Sequence, residues 1–326
     1  KNALASKWIN LRGKKDYPFK SILIVKLDEI GDLVTALNVF YNLHKQYPNA
    51  TIDVLCKPFN SVFFKHTLYV RVIEELEKDY DLIVELRGDE KTLQYALSHP
   101  PKYRVDRGLV RLTNKLKGKQ TNELVTNANI IENLVTGNSL DNTIQISDQE
   151  LDKVESFLQM EGITKFVIIH LGARDAARRW PAERYAQLIT YINEEYNLPC
   201  ILVGGPDDDE INKSCLNLVT SKININVVGE FNLLEYAALC TKATLFVGNE
   251  SGPLHIAAAM KTPTVALFGP GVKDVFYPIG NDVRIHHYFL ARGHKQQTTA
   301  NSTIFSIAVD EVKKSVDSFL NKKGSS

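Results

Sequence analysis

The segment Ser21 to Leu27, SILIVKL, constrains the fold most: it is a short, β-branched, nearly continuous apolar run, the pattern of a strand buried on both faces of a parallel sheet. Behind it Gly31-Asp32 marks a tight turn, and Leu33, Val34, Leu37, Phe40, Tyr41 and His44 then recur at helical spacing until Pro48 closes the segment. The unit reads strand, turn, helix. The strand signal returns at Thr51 to Cys56, Arg71 to Leu76 and Asp81 to Leu86, with helical or mixed segments between, which is the alternation of a doubly wound α/β sheet. Thr121 to Thr136 reads as helical, and the polar stretch Gly137 to Ser147 has the composition of an exposed connection.

A second α/β pattern follows. Helices are expected at Asp148 to Gly162, Pro181 to Tyr196, from about Asp208, at Asn232 to Cys240 and at Gly252 to Met260. Strands are expected at Phe166 to Leu171, Pro199 to Val203, Asn226 to Val228, Leu245 to Val247 and Thr264 to Phe268. The domains therefore divide as residues 1–147 and 148–326, each long enough to bury its own core. A last amphipathic helix, Ile307 to Leu320, either closes the second half or returns to the first. Two such Rossmann-like sheets facing each other would leave a cleft lined by the carboxyl ends of their strands.

Thirty-nine basic against 38 acidic side chains give a net charge of +1, which argues against a whole-surface attraction to nucleic acid or membrane. No apolar run approaches the roughly 18 residues of a membrane span. The four cysteines, Cys56, Cys200, Cys215 and Cys240, lie far apart without CxxC spacing and read as reduced core residues of a cytoplasmic protein. The chain begins Lys-Asn-Ala without a signal-peptide core, and the terminal Gly-Ser-Ser reads as an expression remnant.

The strongest local signal is FVGNESGPLHIAAAMKTPTVALFGP, Phe246 to Pro270: strand, Gly-Pro turn, small-residue helix, strand. Its helix start offers N–H groups and a positive dipole end to a phosphate. Alternatively this is an N-capped core helix, with Ser251 as cap, Pro253 near the first helical position and His255 merely packed. The stretch resembles the hallmark of glycosyltransferase family 9, the lipopolysaccharide heptosyltransferases, whose usual form is Asp-Ser/Thr-Gly-x-x-His before a small-residue helix and a strand ending Phe-Gly-Pro. Three further segments are similar in family order: ILIVKLDEIGDLVTAL, LGARDAARRWPAERYAQLI and ILVGGPDDDE. Two positions depart from the pattern, Glu250 for the usual Asp and Asn38 for a common Pro.

The resemblance implies a GT-B fold, an inverting mechanism, and neither metal nor cofactor, with sugar passing from a nucleotide diphosphate donor, ADP-heptose in the family proper, to a hydroxyl of a lipopolysaccharide core acceptor. Asp32 matches the family's general base, against a simple helix-cap role; Asp28 is the weaker competitor. Arg178 aligns with the family's basic residue and, with Arg179, suits a leaving diphosphate, while a solvated loop charge is the bland alternative. Trp180 reads as a packing anchor. Among Asp207, Asp208, Asp209 and Glu210, Glu210 is the candidate for ribose hydroxyls, although four acids at a helix start also complement its dipole. Phe231 is a candidate to flank the base or a buried aromatic. Glu250, Ser251, Gly252 and His255 complete the expected donor site, and Glu250 leaves the sugar open to another nucleotide sugar.

Lys102 to Lys119 holds seven basic residues and one acid, with Leu109, Leu112 and Leu116 at helical spacing. It reads as a short amphipathic helix that meets anionic headgroups at the cytoplasmic face of the inner membrane, or an acidic glycolipid or saccharide acceptor, or else as a solvated helix packed by its leucines. Arg104, Arg107 and Arg111 are the acceptor candidates. A sugar-nucleotide epimerase would need a hydrolytic carboxylate pair, which is not discernible, and a non-catalytic nucleotide-sugar binder remains the alternative from another class. No G-x-G-x-x-G follows Ser21 to Leu27, against a dinucleotide oxidoreductase.

Overall fold

The computed structural model describes residues 1–11, 17–76, 78–117, 121–269, 273–280, 282–287 and 303–321. Pro270 of the Phe246 motif, Gly118 and Lys119 of the basic segment, and the terminal Gly-Ser-Ser lie outside them. The chain divides into two compact units, Lys1–Gln145 and Ile146–Ser326.

The first unit runs α1 (Asn2–Asn10), β1 (Ser21–Lys26), α2 (Ile30–Val34), α3 (Leu37–Gln46), β2 (Thr51–Cys56), a 3-10 turn, β3 (Val70–Ile73), β4 (Leu82–Arg87), α4 (Glu90–Ser98), β5 (Tyr103–Asp106), α5 (Arg107–Leu116) and α6 (Glu123–Ile130). Its strands form one parallel sheet in the order β3-β2-β1-β4-β5. β1 is central, and Ile22 to Val25 are fully buried, which is why they read as a continuous apolar run. The chain leaves β1 in opposite directions to β2 and, after a crossover, to β4, so the β1/β4 border is the switch point where open sheets bind ligands. The ladder slips there: Val25 pairs with Glu85 but Lys26 with Arg87, leaving Leu86 bulged.

Three expectations for this unit are corrected. The turn at Gly31-Asp32 is a helix of its own, α2, separated from α3 at Thr35 and Ala36, where the Thr35 hydroxyl donates back to the Asp32 carbonyl at 2.8 Å. Lys102 to Lys119 is not one helix: its first residues form β5, because Arg104 and Asp106 alternate inward toward β4 and are both buried. Gly137 to Ser147 is not simply an exposed connection. Asn42 of α3 exchanges hydrogen bonds with Ser139, Nδ2 to O at 2.8 Å and N to Oδ1 at 2.9 Å, while Asn142 and Ile144 are buried. Asn38 is fully buried and donates to the same Ser139 carbonyl at 3.2 Å, a bond that a proline there would not make.

The second unit runs α7 (Asp148–Met160), β6 (Val167–His170), α8 (Ala182–Tyr196), β7 (Cys200–Val203), α9 (Asp209–Asn217), β8 (Ile225–Asn226), α10 (Leu233–Lys242), β9 (Leu245–Asn249), α11 (Gly252–Ala259), β10 (Thr264–Phe268), α12 (Lys273–Phe276), β11 (Val283–His287) and α13 (Val309–Leu320). Its parallel sheet has the order β11-β10-β9-β6-β7-β8, with the switch point between β6 and β9. β11 went unrecognised in the sequence because VRIHH is only half-buried and lacks a strong apolar pattern. α13 packs on α8 and β10 of this same unit, burying Val312, Val316 and Phe319 in a core with Trp180, Tyr185 and Ile189. All four cysteines are buried and free. Among the described residues no helix is long and apolar enough to cross a membrane.

Candidate functional site

At the carboxyl end of the first sheet the switch point gathers charge. Lys26, the last residue of β1, is fully buried and its ammonium lies 3.1 Å from Asp28 and 4.0 Å from Glu123 of α6. Arg107, at the start of α5, lies 2.6 Å from Glu123 and 3.7 Å from Asp28, and Arg87 of β4 reaches Asp28 at 3.6 Å. Asp32, in the first turn of α2, stands half-buried beside this cluster. Burial raises its carboxyl above the usual aspartate value, Asp28 and Glu123 add to the rise, and Lys26 and Arg107 oppose it. The geometry distinguishes the two candidate bases. Asp28 is held among three cations, whereas Asp32 stands half-buried with its carboxyl raised by burial.

The basic candidates separate as well. Arg107 belongs to this cluster and Arg111 is exposed on α5. Arg104 is fully buried: its guanidinium contacts Glu85 at 2.6 Å and Asp106 at 3.6 Å and donates to the Ser6 hydroxyl and the Asn2 carbonyl of α1. That placement leaves Arg104 no exposed surface with which to meet an acceptor, and its role is to fasten α1 to the sheet.

The second switch point is built from the ends of β6 and β9. Asn249, fully buried, donates to the Leu171 carbonyl at 2.7 Å and accepts from the Trp180 N–H at 3.1 Å and the Tyr185 hydroxyl at 2.9 Å, so it ties the Arg178-Arg179-Trp180 turn to the strand ends. Trp180 is an anchor in fact: it is wholly buried, donates through Nε1 to the Ile307 carbonyl at 3.0 Å and meets Tyr185 edge to face. This turn brings Arg178 to 3.5 Å from Glu250. Arg179 donates to the Ala173 carbonyl at 2.8 Å.

Ser251 occupies the N-cap position of α11, yet its side chain makes no capping bond. It turns instead to His170, with Oγ 3.1 Å from Nδ1, and donates to the Asn249 carbonyl at 3.1 Å. On the other side of the ring, Nε2 of His170 faces the Asp208 carboxylate at 3.6 Å. Burial alone would raise the Asp208 carboxyl, but His170, the Gly205 N–H and Arg179 outweigh it and hold it below the usual range. Gly172 and Gly204 make room for this carboxylate, for a Cβ on either would collide with the Asp208 side chain. Asp208, His170 and Ser251 thus form a chain that ends beside the first-turn N–H groups of α11, an arrangement able to present a hydroxyl and backbone donors to a phosphate. Gly252 is the first residue of that helix.

Sequence reasoning singled out Glu210, whereas the acid in this network is Asp208; Glu210 is exposed on α9. Phe231 packs edge-on against Phe157 of α7 at 5.2 Å with Lys153 over its ring. His170 and Lys26 were missed because each sits in a strand whose apolar neighbours describe a core and give no hint of chemistry. Their one sequence signal is position, a polar residue ending an apolar strand.

His255, in the middle of α11, is buried, and burial lowers its imidazole to about 4. A histidine depressed from 6.5 binds a proton more readily when unfolded, so its contribution to stability is present above about 6.5 and is lost as pH falls toward 4. The loss is on the order of 3 kcal/mol. Denaturant melts of His255→Gln and the parent between pH 7 and pH 4 check this: the variant should show a flatter profile, and parallel profiles would refute the burial argument.

Two doubly wound units, each with a polar cluster at the switch point of its own sheet, match the architecture of the GT-B fold. The sequence model of glycosyltransferase family 9 (heptosyltransferase) matches residues 71–304. Lipooligosaccharide heptosyltransferase 2 of Haemophilus influenzae is 24% identical over 306 residues, covering 81% of this chain and 88% of that protein. Lipopolysaccharide heptosyltransferase 2 of Salmonella typhimurium is 30% identical over 156 residues, 45% of this chain and 44% of that protein. The solved structure of Escherichia coli ADP-heptose LPS heptosyltransferase II superposes with a TM-score of 0.72 over 93% of this chain and 99% of that one, at 21% identity. The chain belongs to glycosyltransferase family 9, the heptosyltransferase family, and is a glycosyltransferase.

Proposed function

We propose that the protein transfers a heptose from ADP-heptose to a hydroxyl of a lipopolysaccharide core acceptor, with inversion and without a metal. The observation that carries this reading is the Arg178, Glu250 and Ser251 group at the start of α11, in a chain of the heptosyltransferase family. Arg178, Arg179 and the α11 N–H groups supply the positive charge that a departing diphosphate needs. Asp32 takes the proton of the acceptor hydroxyl as its oxygen bonds to the anomeric carbon. The anomeric carbon–oxygen bond to the diphosphate breaks, and ADP leaves with the electron pair. A single displacement of this kind inverts the anomeric centre. Arg107 and Arg111 are assigned to the acceptor side, and the basic segment to peripheral contact at the cytoplasmic face of the inner membrane.

Glu250 favours a second reading, the same chemistry with another nucleotide sugar. Its side chain is one methylene longer than the family's usual Asp and lies against Arg178. Thermal melting with a panel of nucleotide sugars decides between them, since a ligand bound only by the native state raises the melting temperature. ADP-heptose should give the largest rise, and Arg178→Ala should weaken its binding about 10- to 100-fold through loss of a charged hydrogen bond. A larger rise with a UDP- or GDP-sugar would overturn the donor assignment. No rise with any of them would remove the donor site.

A further inference from the structure

The first unit carries exposed apolar side chains to which sugar transfer assigns no role. α1 buries Ala5, Ser6 and Ile9 and turns Leu4, Lys7, Trp8 and Leu11 outward, a stripe at i, i+3, i+4 and i+7. It is held from beneath by polar bonds. The Arg104 guanidinium donates to Asn2 and Ser6, and Asn10 clamps the Arg104 backbone, Nδ2 to O at 2.8 Å and N to Oδ1 at 2.9 Å. α5 packs beside α1 and exposes Leu109, Leu112 and Leu116 together with Arg111 and Lys115. Six of the fifteen large apolar side chains exposed among the described residues stand on these two helices or, for Leu11, at the C-cap of α1, with Trp8 at 53% and Leu116 at 79%. Single exposed leucines need no explanation, but a cluster of this size on two adjoining helices does.

The two segments that carry these side chains hold charge of one sign. Lys1 to Leu11 and Arg107 to Lys117 contain no Asp or Glu in a chain whose basic and acidic residues nearly balance as a whole, and Lys1, Lys7, Arg111, Lys115 and Lys117 are all exposed. Apolar residues with an indole, on two segments that carry cations and no acid, match the boundary of an anionic bilayer: leucines and the tryptophan enter the headgroup region and the ammonium and guanidinium groups remain with the lipid phosphates. We propose that α1 and α5 together form a docking surface for an anionic phospholipid bilayer, with Arg104 as the bolt that keeps α1 in place. This deepens the assignment of the basic segment to the membrane by adding α1 and naming the lipid charge, and it rests on that assignment alone, not on the donor or the base.

The chain has two tryptophans, Trp8 exposed and Trp180 fully buried, so a change in emission on adding lipid reports Trp8. The experiment mixes the full chain with vesicles of phosphatidylglycerol and phosphatidylethanolamine, or of phosphatidylcholine alone, and follows co-flotation and emission. The expected result is binding to the anionic vesicles about ten-fold or more tighter than to the neutral ones, weakened by salt, with a blue shift that Trp8→Phe abolishes. Leu4→Ser with Leu11→Ser should abolish flotation, and Arg111→Glu with Lys115→Glu should remove the preference for anionic lipid. All four positions are exposed, and a melting curve confirms that each variant is folded. Three results would overturn the proposal: no flotation of the parent, flotation indifferent to both variant pairs, or an emission shift that follows protein concentration without lipid and marks a second copy as the occupant. Transfer to a delipidated acceptor is unaffected in Leu4→Ser with Leu11→Ser if only docking is lost, so failure here is distinguishable from failure of the transferase reading.

Discussion

Asp32→Asn is expected to reduce sugar transfer by about 10²- to 10⁴-fold, the usual contribution of a positioned general base, while donor-induced thermal stabilisation is retained. The substitution keeps the shape of the side chain and removes its ability to hold a proton, so the loss falls on kcat and not on donor binding. Asp28→Asn is the informative comparison. Its carboxylate lies near Lys26, Arg87 and Arg107, and neutralising it unbalances the cluster without removing the base, so a smaller loss is expected, with some change in stability. The pH profile gives a second reading. Because burial raises the Asp32 carboxyl, the acid limb of kcat/KM should fall away at a pH above the ordinary aspartate value of 3.8, activity being lost as pH drops through the raised value. Unchanged turnover in Asp32→Asn would transfer the role to another residue.

Arg104→Leu should cost about 3–5 kcal/mol of folding stability, the cost of breaking one partner out of a buried ion pair. The guanidinium is enclosed by Glu85, Asp106, the Ser6 hydroxyl and the Asn2 carbonyl, and its removal leaves Glu85 buried without its cation. Burial already raises the Glu85 carboxyl above 4.5, and Arg104 is the first influence that opposes the rise. A carboxyl raised in the folded state holds its proton more tightly there, so its contribution to stability is fully present below about 4.5 and is lost as pH rises through the folded value. In the variant that value rises further. The deficit against the parent should therefore widen from pH 4.5 toward neutrality. Arg104→Leu with Glu85→Leu should recover much of the loss, because two apolar residues replace a pair that was costly to desolvate. Denaturant titrations of the parent and both variants at several pH values measure all three quantities. A deficit below about 1 kcal/mol at pH 7 would mean that α1 is not held as the hydrogen bonds indicate.

Much of the architecture was legible without coordinates. Ile22 to Val25 and Phe166 to Ile169 announce buried parallel strands because residues facing either side of the sheet are buried there, and the periods of helix and strand are local properties of the chain. The run Gly248 to His255 carried the family resemblance, and Arg178 with Glu250, 72 positions apart, proved to lie 3.5 Å from each other. The state of the charges was poorly legible in the sequence. Arg104, Arg107 and Arg111 looked equivalent in one basic segment, yet one is an internal bolt, one belongs to the cluster beside Asp32 and one is exposed.

The difference arises from pairing over distance. Whether an arginine is solvated or buried depends on carboxylates brought by other strands and helices: Glu85 from β4, Glu123 from α6. The same holds for His170, whose neighbours Asp208 and Ser251 come from different loops of the second sheet, and for α1, whose outward apolar stripe is visible only once its polar attachments are known. The sequence by itself determined the succession of strands and helices apart from elements such as β5 and β11, and the residues of the Phe246 motif, since these follow from local periodicity and turn chemistry. Tertiary structure alone decided which ionic groups meet, which are shielded from water and which apolar side chains remain outside, because Coulomb energy and desolvation depend on spatial neighbours.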